Sequence, residues 1–94
     1  MIFHLIVLPL IVQKRVNMKE KVLGLIRNIA SGKDPYISAD AKYMAFRKEY
    51  YTRFLAAIER GDTDAMLALD RICDNDSVDC ATETMNWLES WIKF

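Results

Sequence analysis

Beyond residue 17, the apolar residues of this chain recur every three or four positions, which is the spacing of one face of an α-helix. No stretch there alternates between apolar and polar residues in the two-residue period of a half-buried strand. Glycine and proline are rare, three and two in 94 residues, so few positions interrupt the helical patterns. The sequence therefore predicts an all-α fold.

Capping residues and glycines divide the pattern into four segments. Asn17 is placed to cap a first helix and Gly32 to end it in a left-handed turn. Ser38 is placed to cap a long second helix that ends at Gly61. A short third helix follows directly, and Ser77 is placed to cap a fourth. The short connections predict a compact antiparallel bundle of about four helices.

The composition supports one small folded domain over residues 17–94. With 52% hydrophobic and 28% charged residues, the chain is too apolar for a disordered acidic or basic tail. A chain of this length buries a single modest core, which leaves no room for a deep catalytic cavity under a separate lid.

Residues 1–16 form a separate apolar N-terminal arm in this interpretation. Ten of the first twelve residues are apolar, interrupted by His4 and Pro9. The segment is too short to span a membrane and lacks the organisation of a secretory signal, so we expect a cytoplasmic protein. An arm that contacts a membrane through residues 1–12, with Lys14 and Arg15 at the lipid headgroups, is the less favoured hypothesis. The segment's β-branched residues favour an extended arm that packs on the bundle or forms a homodimer through residues 1–12. The alternative is an upstream extension ahead of a start at Met18.

The charges are unevenly distributed along the chain. Thirteen basic and thirteen acidic side chains give a formal net charge of zero. Residues 1–60 carry a balance of +6, however, and residues 61–94 a balance of −6. Such asymmetry is an argument about partners, because complementary charge speeds encounter with a partner of the opposite sign. It predicts an acidic C-terminal surface.

Residue types that carry chemistry are sparse. His4 is the only histidine, and it has no nearby nucleophile to activate. Cys73 and Cys80 lack the further cysteines or histidines of a zinc site, so we expect two reduced, half-buried thiols. Residues 74–79 begin like a calcium loop but lack its glycine at the sixth position and glutamate at the twelfth. We therefore expect no enzyme activity, no metal site and no cofactor.

The favoured hypothesis is a small protein–protein interaction module that docks its acidic C-terminal face on a basic protein partner. Its size and charge pattern are those of inhibitors such as immunity proteins, antitoxins and phage-encoded inhibitors, an analogy at the level of class. The two tryptophans either anchor that interface or complete the core. The expected partner-binding residues are Asp62, Asp70, Asp74, Asp76, Asp79, Glu83, Trp87 and Trp91.

The alternative hypothesis is a helical nucleic-acid-binding regulator. Basic residues alternate with tyrosines along the second helix, and basic side chains neutralise phosphates. The zero net charge and the acids between these residues weigh against it. The residues expected to bind nucleic acid in this case are Lys42, Arg47, Lys48 and Arg53.

Overall fold

In residues 10–94, four helices pack around one apolar core. The computed structural model describes residues 10–94, apart from the side chains of residues 11, 12 and 14. The helices are α1 (Leu10–Ala30), α2 (Ala41–Glu59), α3 (Thr63–Cys73) and α4 (Val78–Glu89). α1 packs along α2, α3 packs against α4, and α1 also contacts α3 and α4. Residues 10–94 contain no strand, so the predicted all-α bundle is confirmed.

The core is built from one face of each helix. Val22, Ile26 and Ile29 recur along α1 at helical spacing and are fully buried. Helix α2 contributes aromatic side chains to the same cluster, whereas α3 and α4 contribute mainly alanine, leucine and isoleucine together with one methionine. The buried residues on these three helices are Tyr50, Tyr51, Phe54, Ala57, Ala65, Ala68, Leu69, Ile72, Cys73, Ala81, Met85 and Leu88.

The predicted turns are correct at most helix ends. Gly32 and Gly61 have φ of +89° and +76°, the left-handed conformation that favours glycine. The Ser77 hydroxyl caps α4 by accepting a hydrogen bond from the Cys80 backbone N–H.

The cap of α2 is two residues later than expected. Asp40 is the N-cap, and its carboxylate accepts hydrogen bonds from the backbone N–H groups of Lys42 and Tyr43. The Ser38 hydroxyl instead accepts a hydrogen bond from the Asp40 N–H. The prediction of Ser38 as the cap was wrong because the helix begins at Ala41, and the free N–H groups of its first turn lie within reach of the Asp40 carboxylate.

Helix α1 begins seven residues before the predicted cap. It starts at Leu10, so Asn17 lies exposed inside the helix and caps nothing. An extended conformation is therefore wrong for residues 10–16. The preference of β-branched residues for strands is weak, and a helix already formed downstream extends through such residues easily. The predicted arm over residues 1–9, with His4, lies outside the described residues.

The two cysteines are free thiols in different environments. Cys73 is the last residue of α3 and is buried, and burial raises the pKa of its thiol. Cys80 is exposed, so the expectation of two half-buried thiols was wrong. Cys80 follows the cap of α4 by three residues, on the side of that helix turned away from the core.

Core packing can be tested with two isoleucines. Ile26 is 0% exposed in the core and Ile37 is 91% exposed in the loop before α2. We expect Ile26→Ala to lower the free energy of unfolding by about 2–5 kcal/mol, because it removes buried apolar atoms and leaves a cavity. Ile37→Ala is the matched control and should change it by less than about 0.5 kcal/mol in urea unfolding. Equal effects would contradict the assignment of α1 to the core.

Candidate functional site

The polar centre of the bundle is the guanidinium of Arg47 on α2. The Arg47 side chain is 2% exposed. It donates two hydrogen bonds to the carboxylate of Asp34, at 2.7 Å from Nε and 3.2 Å from Nη2. Its Nη1 donates to the side-chain oxygens of Asn86 and Glu89 on α4, both at 3.0 Å. Arg47 therefore joins the loop between α1 and α2 to the C-terminal end of α4.

Glu89 collects the remaining hydrogen bonds of this cluster. Its side chain is 5% exposed and accepts from the Tyr43 hydroxyl at 3.0 Å and the Tyr51 hydroxyl at 2.6 Å. Tyrosine rings also surround the Arg47 guanidinium, with ring centres 4.9 Å away for Tyr36 and 5.5 Å for Tyr51. Among the described residues, every buried side-chain nitrogen and oxygen has a hydrogen-bond partner. We call Asp34, Arg47, Asn86 and Glu89 the buried polar cluster.

The electrostatics of the cluster favour a charged arginine and neutral tyrosines. Burial disfavours the Arg47 cation, but the hydrogen bonds and charge of Asp34 outweigh it and raise the arginine pKa. Burial and the nearby Glu89 carboxylate raise the pKa of Tyr51, and they raise that of Tyr50 to about 12. The Tyr50 hydroxyl donates to the backbone carbonyls of Leu88 and Ile92. These interactions fix α4 against α2.

The structure removes Arg47 from the expected nucleic-acid-binding set. Its guanidinium is buried and fully paired within the chain, so it cannot reach a phosphate. Helical spacing could not reveal this, because a basic residue among tyrosines is compatible with both environments. Lys42, Lys48 and Arg53 are exposed, and Arg53 forms an ion pair with Glu49 one turn earlier.

The structure divides the expected acidic face into two groups. Asp62 caps α3, where its carboxylate accepts from the Ala65 backbone N–H at 3.0 Å. Asp74 forms a hydrogen-bonded ion pair with Arg15 of α1. That pair, with a smaller contribution from Asp70, raises the pKa of Arg15. These three acids therefore interact with groups of the chain itself.

The other expected acids precede the tryptophans along the chain. Asp76 is exposed in the turn before α4. Asp79, Glu83 and Trp87 follow at four-residue intervals on α4, and Trp91 continues the same row in the turn after the helix. All four residues of this row are exposed, and successive members lie on one side of the helix.

The tryptophans lie on the surface and do not complete the core. Trp87 is 50% exposed and Trp91 is 70% exposed, with ring centres 5.9 Å apart. The Arg71 guanidinium of α3 lies 5.4 Å from the Trp87 ring, and Leu67 beside it is 62% exposed. Phe94, by contrast, stacks on the core residue Phe54 at 4.4 Å. We call Leu67, Arg71, Trp87 and Trp91 the tryptophan face.

A groove of about 610 Å³ runs between α3 and α4 at the tryptophan face. Its walls combine apolar side chains with charged ones, namely Leu67, Leu88, Trp91 and Ile92 together with Asp64, Arg71 and Lys93. Exposed apolar surface that is rimmed by polar groups marks an interaction site more often than scattered exposed residues do.

Several residues of the buried polar cluster and of the tryptophan face are absent from the sequence-based expectations. Asp34, Asn86 and Glu89 carry no signal beyond ordinary polar residues until the fold places them around Arg47. Leu67 and Arg71 could have been predicted as surface residues, because the apolar pattern of α3 places the opposite face of the helix in the core.

No helix among residues 10–94 is long and apolar enough to cross a membrane. In the same part of the chain, no group of three or more histidine, cysteine or acidic side chains is placed to hold a metal ion. No protein-family model, curated protein or solved structure matches this chain.

The buried polar cluster can be tested with two arginines of α2. Arg47→Met leaves the carboxylates of Asp34 and Glu89 buried without their counter-charge. We expect it to lower the free energy of unfolding by about 3–5 kcal/mol. Arg53→Met removes an exposed ion pair and should cost at most about 1 kcal/mol. Similar losses in urea unfolding would contradict the role given to the buried cluster.

The Tyr50 hydroxyl predicts a pH effect at alkaline pH. Its pKa is about 12 in the folded chain against 10.0 ordinarily, so its contribution to stability is complete below pH 10 and is lost as the pH rises towards 12. We expect Tyr50→Phe to be about 1 kcal/mol less stable than wild type at neutral pH, because a buried hydrogen bond is lost. The difference in free energy of unfolding between wild type and Tyr50→Phe should narrow between pH 10 and 12. A constant difference in urea unfolding would contradict this assignment.

Proposed function

We propose that this protein is a small non-enzymatic interaction module that docks on a basic protein partner and occupies that partner's working surface. The observation that carries the proposal is the exposed row on α4, in which Asp79 and Glu83 lead directly to Trp87 and Trp91. An inhibitor of the immunity, antitoxin or phage-encoded type works in this way. The docking surface is narrower than the acidic stretch expected from the sequence.

The exposure of both tryptophans supports a role in binding. Tryptophan is enriched among the residues that dominate binding energy, because one side chain desolvates a large apolar area. The core of this bundle is closed by other residues, including Tyr51, Phe54 and Phe94. The two indoles are therefore available to a partner.

The adjacent carboxylates support a basic partner. Asp76 in the turn before α4 and Asp79 and Glu83 in its first half are exposed, and Trp87 follows Glu83 by one helical turn. Charges beside an apolar centre steer encounter and select a partner of the opposite sign. The chain as a whole has no net charge. A basic partner is therefore attracted by the local negative field of these three carboxylates and not by an overall charge.

The experiment uses the full chain as bait, identifies the captured protein by mass spectrometry, and measures binding of that purified protein by calorimetry. We expect Trp87→Ala with Trp91→Ala to weaken binding by about 2 kcal/mol or more, with the circular dichroism of the bundle unchanged. Asp79→Lys with Glu83→Lys should weaken binding most at low salt.

The matched control is Glu20→Lys with Glu59→Lys, which makes the same change in net charge at exposed positions of α1 and α2. This control should bind like the wild type. Binding that survives loss of both tryptophans, or a captured partner with an acidic binding surface, would contradict the proposal. Loss of binding in the control alone would place the interface on α1 and α2.

A further inference from the structure

The outward side of α3 carries an acid, an apolar residue and a base in sequence. Asp64, Leu67 and Arg71 are all exposed, and all three line the groove between α3 and α4. Ala68 lies in the same groove and is almost fully buried, so a small residue leaves space beside Leu67. Along α3 the groove therefore has a carboxylate at one end, a guanidinium at the other and an apolar centre, and Lys93 adds a second cation to its lining.

The spacing of these residues is symmetric about the middle of α3. Asp64 and Arg71 are seven residues apart, which is about two helical turns or about 10.5 Å along the axis. Leu67 and Ala68 lie on either side of the midpoint. When two copies of such a helix pack antiparallel, the acid of each copy meets the base of the other. The side of α3 is thus complementary to itself.

We propose that two copies of this chain associate through α3 in an antiparallel, twofold arrangement. Asp64 of each copy pairs with Arg71 of the other, and Leu67 of each enters the groove of the other beside Ala68. Such an interface is isologous, so it closes at a dimer and leaves no unpaired half for a further copy.

Three properties of the chain favour this pairing. The formal net charge is zero, so two copies do not repel each other at long range. Leu67 and Trp91 expose apolar area that the second copy would cover. The Arg71 guanidinium already lies over the Trp87 ring, which reduces the side-chain freedom lost when its edge pairs with a carboxylate.

This dimer does not depend on the proposed function. It uses Asp64, Leu67 and Arg71 of α3, whereas the acidic part of the docking row, Asp79 and Glu83, is on α4. The two surfaces meet at the tryptophans. A basic partner and a second copy would therefore compete, and dimerisation would cover the docking surface until a partner arrives.

The test is a charge swap followed by sedimentation equilibrium over a concentration series, at low salt and with a reductant that keeps Cys80 from forming disulfides. Asp64→Arg places two bases opposite each other, and Arg71→Asp places two acids opposite each other. We expect each single variant to dimerise about tenfold or more weakly than the wild type, because like charges at an interface repel. The equimolar mixture of the two variants should form a heterodimer, and the double variant should recover the homodimer.

Several results would overturn the dimer. A wild-type chain that stays monomeric up to several hundred micromolar excludes it, and dimers that persist in both single variants place the interface elsewhere. A mixture of single variants that stays monomeric excludes the antiparallel register. Circular dichroism establishes that each variant is folded.

Leu67→Glu tests the dimer in a second way if a charge variant fails to fold. The Leu67 side chain is 62% exposed, so replacing it leaves the core intact. Loss of the dimer supports the proposal, and a dimer that persists overturns it.

Discussion

A buried arginine between two carboxylates sets the arrangement of this bundle. Arginine remains charged in proteins, so a guanidinium that is 2% exposed requires partners from every side. Asp34 supplies them from the loop between α1 and α2, and Glu89 from the end of α4. The apolar contacts among the helices tolerate small sliding movements, whereas these hydrogen bonds are directional and define one register of α4 against α2.

The register of α4 decides what the protein presents to its surroundings. Asn86 and Glu89 point to the buried polar cluster, and Met85 and Leu88 point to the core. The opposite side of the same helix then carries the exposed row of carboxylates and tryptophans. The proposed docking surface is thus a consequence of the cluster, although no residue belongs to both. Mutations in the cluster should affect binding through folding, and mutations in the row should affect binding directly.

The sequence predicted the helices better than it predicted the environment of their polar residues. Apolar spacing located α2, α3 and α4. Gly32 marked the end of α1, Gly61 the end of α2 and Ser77 the start of α4, because these signals act over a few residues. The start of α1 at Leu10 was missed, since no local signal separates an apolar helix turn from an apolar strand. Arg47 was taken for a surface residue because its three acidic and amide partners lie 13 to 42 positions away. Only the tertiary fold brings them together.

Quenching of the two tryptophans by acrylamide and iodide, in the dilute folded chain, tests the central claim most directly. These are the only tryptophans of the protein, so its indole emission reports on the tryptophan face alone. Indoles on the surface of a closed bundle should emit at long wavelength and be quenched readily, while circular dichroism shows a folded helical protein. Emission at short wavelength that is protected from both quenchers would show that the tryptophans belong to the core, and would contradict the docking surface proposed for this chain.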